Sequence, residues 1–266
     1  MPATEFFAAK NDDLRLLLDA AAEAGRIAMR YFGQTQEVWM KAGQSPVGEA
    51  DYATDKYLRE TLLAARPDYG WLSEETTDTS ERLNARRTFV VDPIDGTRGF
   101  IAGKDMWCVS VAIVEDGRTL AGVLECPARG ETFWALPGKG AWKNDVQIKV
   151  REAVAPYEIG GPKAMIDALP EELHAMLLNV PYIPSLAYRL ALIAEGSLDG
   201  SFVKPSSHDW DIAAADLILR EAGGDFLDAQ GEKPRYGETE IRHGALVAGS
   251  GFLLPIMAKT LATLTA

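Results

Sequence analysis

The chain has 266 residues, 47% of them hydrophobic and 25% charged, the balance of a globular protein long enough for one large core or two modest ones packed together. Its formal charge of -12 argues against the basic surface that a nucleic-acid polymer requires, and is compatible with a divalent-metal site built from carboxylates. The N-terminus lacks the pattern of a secretory signal, the apolar runs are too short to span a bilayer, and Cys108 and Cys126 form no C-x-x-C pair, as expected of a cytoplasmic protein with reduced thiols and no membrane partner.

Residues 11–33 place Leu14, Leu17, Leu18, Ala21, Ala24 and Ala28 on one helical face, with Asn11 or Asp12 as cap and Gly33 as stop. A polar, glycine-bearing loop, "KAGQSPVGE" (41–49), leads to a second helix over 50–67, with Leu58, Leu62 and Ala65 inward and Pro67 at its end. From residue 88 the period becomes strand-like. "TFVV", "WCVSVAIVEDG", "TLAGVLECP" and "ETFWALPG" are β-rich runs separated by turn residues, the pattern of an antiparallel meander. After "AVAPYEIGGPKA", strands and helices alternate: "PEELHAMLLNV", "SLAYRLALIAEG" and "DIAAADLILREAGG" predict helices. "DGSFV", "GDFLD" and "GALVAGS" predict strands, and "FLLPIMAKTLATL" a closing helix. A composition shift near 152 divides an N-terminal α+β half (1–152) from a C-terminal α/β half (153–266), with no linker between them.

The stretch "TFVVDPIDGTRGF" (88–100) concentrates chemistry. Pro93 removes a backbone donor and biases Asp92 toward extended geometry, so the expected strand 88–91 ends at Asp92 and the chain turns. Asp92 and Asp95 would flank the bend, and two carboxylates this close repel unless a cation lies between them. The Ile94 carbonyl would add a hard oxygen, a donor set that suits Mg²⁺ better than zinc. Alone, D-x-x-D is more often a surface turn. Three further acids change its weight: Asp51 at the start of the second helix, Glu74 after a short strand, and Asp211 in the first turn of a later helix.

"SPVGEAD", "LSEE", "VDPIDGT" and "WDIAAADLILREAGG" together resemble the inositol monophosphatase superfamily over nearly the whole chain. The resemblance implies an α/β (α+β) fold, a layered α/β/α/β/α sandwich with an antiparallel sheet in the N-terminal half, usually homodimeric. It also implies a Mg²⁺-dependent, often lithium-sensitive phosphomonoesterase with two or three ions. By motif, Glu74, Asp92 and the Ile94 carbonyl match the ligands of one ion, and Asp92, Asp95 and Asp211 those of a second. A third, weaker ion leans on Glu74. Asp51 and Thr97 match the pair that orients the attacking water, and Gly96 and Thr97 offer N–H groups to the phosphate, beside Asp95.

The rivals are weaker. A haloacid-dehalogenase-type phosphatase needs D-x-D-x-T, one residue shorter than the spacing here. Ser207, His208 and Asp209 are sequence neighbours, which seldom form a triad, and no Walker A loop is present. A catalytically silent phosphate-sensing or interaction protein on the same fold would lack metal-dependent turnover. The small-molecule phosphate ester is the open point. Lys204 stands seven residues before Asp211, where inositol-specific relatives carry a glutamate, and Arg189 matches a position near substrate in relatives. Either could meet a second phosphate, or be a solvated edge and helix-surface residue. The order of expectation is a 3'(2'),5'-bisphosphate nucleotide, then inositol 1-phosphate or a related polyol, then histidinol phosphate.

Overall fold

Helix α1 (Ala3–Ala8) is a short N-terminal element; the sequence offered no pattern for it. In the computed structural model, which describes residues 1–34, 38–40 and 46–265, α2 (Asp12–Met29) starts where its cap predicts. The Asn11 Oδ1 accepts from the Leu14 N–H at 2.9 Å, satisfying one of the orphan donors of the first turn. The helix ends before Gly33, which lies in the following turn with φ +73°. Strands β1 (Val38–Met40) and β2 (Pro46–Gly48) form an antiparallel ribbon, and α3 (Glu49–Ala65) follows. The loop expected over 41–49 falls outside the described residues at 41–45. Leu58 and Leu62 are fully buried, as their spacing predicts, but Ala65, the last residue of α3, is exposed.

Strand β3 (Gly70–Ser73) pairs in parallel with β4 (Thr88–Asp95). After β4 come the short helix α4 (Thr97–Ile101) and strands β5 (Cys108–Glu115), β6 (Arg118–Cys126), β7 (Glu131–Ala135), β8 (Ala141–Lys143) and β9 (Val146–Ile148). From β4 onward each strand pairs antiparallel with the next, closing a seven-stranded sheet in chain order from β3 to β9. The β8–β9 hairpin is an addition to the sequence reading; its three-residue strands are too short to show a period.

One expectation needs correction here. Strand β4 does not stop at 91; it continues through both aspartates. Asp92 faces Ser110 and Asp95 faces Cys108 on β5, so β4 carries one extra residue between those pairs. That is a bulge, where Pro93 can sit without withholding a needed ladder donor. The turn comes later, at Gly96.

The second half contributes β10 (Tyr157–Gly160), α5 (Lys163–Ile166), α6 (Glu171–His174) and β11 (Leu177–Leu178). It continues with α7 (Leu186–Ala194), β12 (Gly200–Val203), α8 (Asp209–Glu221), β13 (Asp225–Asp228), β14 (Leu246–Gly249) and α9 (Leu253–Thr265). The helix expected over 170–180 is therefore one turn long. Leu177 and Leu178 leave it to pair with Tyr157 and Glu158 at the edge of a five-stranded sheet ordered β11-β10-β12-β14-β13.

Alternation along β5 explains the layering. Val109, Val111 and Ile113 face a cluster with Leu14, Leu17, Leu58 and Leu62 of α2 and α3, whereas Cys108, Ala112 and Val114 face a second cluster with α7 and α8. Full burial of each such leucine contributes roughly 2 kcal/mol relative to exposure. The second cluster also includes Val203, Phe226, Leu246 and Ala248 of the five-stranded sheet, whose other face packs on α9 through Val247, Leu253, Met257 and Leu261. The result is the α/β/α/β/α sandwich, with α7 and α8 as its middle layer. Cys108 and Cys126 are free and buried within it. Among the described residues no helix is long and apolar enough to cross a membrane.

Candidate metal centre

The bulge of β4 turns Asp92 and Asp95 toward the N-terminus of α8. Asp92 holds its own turn, accepting from the Ile94 N–H at 3.0 Å. Asp95 is tied to the middle layer: its Oδ2 accepts from Ser185 Oγ at 2.5 Å and from the Ala187 N–H at 2.6 Å, at the start of α7. Asp211 sits in the first turn of α8 and accepts from the His208 N–H at 2.7 Å. These three carboxylates each offer an oxygen, all within 4.8 Å of one another.

Such a cluster is strained without a cation. Asp92 and Asp95 are 1% and 7% exposed, and among the described residues no lysine or arginine ion-pairs with any of the three. The nearest basic ring is His208, 4.0 Å from Asp211. Burial, then the charges of Glu74, Asp95 and Asp211, hold the Asp92 carboxyl well above its ordinary range. Burial pushes Asp95 up to about 6, against the donors of Ser185 and Ala187, and raises Asp211 strongly as well. A divalent ion would offset both desolvation and mutual repulsion, and an all-oxygen donor set fits a hard ion. The residues present fit the implied metal.

Glu74 follows β3, where its N–H bonds the Val91 carbonyl at 3.2 Å, and it lines the same cavity without joining the tight carboxylate trio. Ile94 lines that cavity too, and its carbonyl is not wholly free: Thr97 Oγ1 donates toward it at 3.1 Å. Asp51, 1% exposed in the first turn of α3, accepts from the Gly48 N–H at 2.9 Å and lies 3.3 Å from Thr97 Oγ1. Gly96 has φ +95°, a conformation glycine adopts readily, and a Cβ there would lie 3.1 Å from Ser185. The carboxylates and Thr97 thus arrive from α3, β3, β4, α4 and α8 at one end of the middle layer.

A cavity of about 850 Å³ opens over this end. Arg189 and Lys204 both line it, Lys204 exposed just after β12 and Arg189 on α7. The stem of Arg189 crosses Gly160, where a Cβ would come within 3.0 Å of its Cδ. Its Nη2 reaches the Phe202 carbonyl only at 3.4 Å, and its Nε is buried with no partner.

Ser185 escaped the sequence reading, although a serine directly before an apolar helical run is a capping signal; it caps α7 through the Tyr188 N–H at 2.9 Å. Asp209 was weighed in the sequence only as a triad member, and its true partner had no local signal. It pairs with His243, 34 residues away, at 2.7 Å, while His208 stacks on Trp210. Ser207 Oγ has no partner, so Ser207, His208 and Asp209 form no triad.

A family model described as the inositol monophosphatase family matches residues 11–265. The inositol-1-monophosphatase of Rhizobium meliloti (strain 1021) is 33% identical, covering 89% of this chain and 91% of that protein. The histidinol-phosphatase of Mycobacterium tuberculosis (strain ATCC 25618 / H37Rv) is 30% identical over 91% and 95%. Among solved structures, the IMPase of Thermotoga maritima superposes with a TM-score of 0.83 at 25% identity, covering 96% of this chain and 98% of that one. Fold and acidic cluster define a metal-dependent phosphomonoesterase. The chain belongs to the inositol monophosphatase family.

Proposed function

We propose that this protein is a Mg²⁺-dependent phosphatase that hydrolyses a small-molecule phosphate monoester with an activated water, acting as a cytoplasmic homodimer sensitive to lithium. The observation that carries the reading is the trio Asp92, Asp95 and Asp211, two of them buried and all mutually repelling, with no lysine or arginine ion-paired to them among the described residues. Those three, with Glu74 and the Ile94 carbonyl, are the residues that would hold two or three ions. When bound, the ions neutralise the cluster, acidify water and stabilise the leaving oxygen.

Asp51 and Thr97 have the complementary task. The Thr97 hydroxyl lies between the Asp51 carboxylate and the Ile94 carbonyl, so it can orient a water and pass its proton to Asp51. Gly96 and Thr97 present the first N–H groups of α4 to the phosphate, and Asp95 fixes this turn to α7 through Ser185. Arg189 and Lys204 take the remainder of the substrate. Two relatives are named for different phosphate esters, one an inositol-1-monophosphatase and the other a histidinol-phosphatase, so family membership leaves the ester open. We place a 3'(2'),5'-bisphosphate nucleotide first, inositol 1-phosphate second and histidinol phosphate third.

A phosphate-release panel over those three esters tests the reading, with Mg²⁺, with chelator, and with Li⁺ added. Mg²⁺-dependent release from at least one ester, suppressed by Li⁺, is expected. No Mg²⁺-dependent release from any of them would overturn it.

A further inference from the structure

Of the candidate ligands, Glu74 is the one that stands outside both strand and helix. Asp92, Ile94 and Asp95 belong to β4 and Asp211 to the first turn of α8, whereas β3 ends at Ser73 and residues 74–76 form a bend. Glu74 also lies outside the tight carboxylate trio, although its charge reaches Asp92. The ladder between β3 and β4 carries on to the Glu74 N–H, which bonds the Val91 carbonyl at 3.2 Å. A carboxylate on a bend needs further anchors before it can meet an ion in a fixed place.

Those anchors come from α3. Asp55 is 7% exposed and lies one helical turn after Asp51, about 6 Å further along the axis and on the same face. Its two oxygens take the residues on both sides of Glu74: Ser73 Oγ donates to Oδ1, and Thr76 Oγ1 donates to Oδ2 at 3.0 Å. Ser73 Oγ in turn accepts from the Glu75 N–H at 3.3 Å, and Thr76 Oγ1 accepts from the Trp71 Nε1–H at 3.3 Å. Glu74 is thus bracketed by two hydroxyls on a single buried carboxylate. An apolar residue at 55 would serve packing alone, whereas a hydrogen-bonded carboxylate also sets direction. Asp55, Ser73 and Thr76 do not line the cavity over the trio, which separates them from ligands and from substrate contacts.

One face of α3 therefore carries two tasks: Asp51 reaches Thr97 Oγ1 at 3.3 Å, and Asp55 holds the bend of Glu74. We infer that Asp55, acting through Ser73 and Thr76, is a positioning residue that sets Glu74 against the acidic trio and fixes its distance from Asp51. This inference rests on the metal-dependent phosphatase reading above and adds to it the residues that aim one ligand.

The probe is Mn²⁺, titrated into the full chain freed of metal. Loss of the free-ion signal in electron paramagnetic resonance reports binding without substrate or turnover. Ser73→Ala and Thr76→Val each delete a hydroxyl with little change of shape, and removing a residue that orients a metal ligand weakens affinity roughly 10–100-fold. The double variant should bind Mn²⁺ about 10-fold more weakly than wild type, and Thr76→Ser, which keeps the hydroxyl, should bind as wild type. In turnover, the Mg²⁺ concentration for half-maximal phosphate release should rise about 10-fold, while KM for the ester at saturating Mg²⁺ stays within about two-fold. A role in packing alone would lower the melting temperature and leave ion affinity where it was. Should the double variant not fold, Thr76→Val decides by the same comparison, since Thr76 is only half-buried. Mn²⁺ affinity equal to that of wild type would overturn the inference, and Mg²⁺-dependent hydrolysis by wild type would still uphold the phosphatase reading. Wild type that binds Mn²⁺ through these residues but hydrolyses no ester would sink that reading alone. No Mn²⁺ binding by wild type would overturn both.

Discussion

Thr97 has a single hydroxyl proton and two acceptors, the Ile94 carbonyl at 3.1 Å and Asp51 Oδ1 at 3.3 Å. Neither bond is short, so the hydroxyl can turn toward a water without breaking a strong contact. Thr97→Val keeps the shape and deletes the proton path. Its kcat should fall at least about 100-fold with KM changed little, whereas Thr97→Ser should stay within a few-fold of wild type. Loss of one modest hydrogen bond costs roughly 1 kcal/mol, so both variants should fold. An unchanged kcat in Thr97→Val would remove Thr97 from the proposed proton path. At this scale much was legible: the acids are local to short motifs, Asp51 and Asp211 at helix starts, Glu74 after a short strand, and Asp92 and Asp95 within one D-x-x-D run. Their partners were not. Ser185 meets Asp95 across 90 residues and His243 meets Asp209 across 34, separations that no local pattern encodes.

At the scale of elements, the bulge in β4 and the contact between α4 and residues 181–184 place the site. The bulge aims both aspartates into one space, and Gly99 lets Pro184 sit directly on the phosphate-side helix. Gly99→Ala puts a methyl where Pro184 now packs. Overpacking of this kind costs roughly 1–3 kcal/mol. The variant should melt at a lower temperature, by calorimetry, and its KM should rise more than its kcat falls, because the cavity wall at Tyr182 shifts while the carboxylates stay. A wild-type KM would show that the segment does not shape the substrate site. The long helices were legible because periodicity and caps agree, as at Asn11 and α2. The helix expected over 170–180 failed because sheet pairing at Leu177 and Leu178 outweighs a short helical pattern, and β4 outran its expected end because Pro93 occupies the bulge.

Across the whole molecule, two sheets and a shared helical layer bring together carboxylates from both halves of the chain. The antiparallel meander was readable from alternation, but the order of the five-stranded sheet was not, since its neighbours are set by long-range pairing. The arrangement keeps acidic groups buried at a cost that a metal offsets. Asp211 is raised by burial and by Asp95, so its folded-state pKa exceeds its unfolded value. In metal-free protein its favourable contribution is present below the unfolded pKa and is lost as pH rises through the folded one. Once ionised, the group is therefore destabilising until a cation arrives, and Asn, which still accepts from the His208 N–H, is expected to be tolerated. The most direct measurement is Mg²⁺-dependent phosphate release by wild type and Asp211→Asn at pH 8, on whichever ester the panel identifies, beside their melting in chelator. The account predicts a loss of at least about 100-fold in turnover with a melting temperature no lower than that of wild type. Full Mg²⁺-dependent turnover in a folded Asp211→Asn would contradict it.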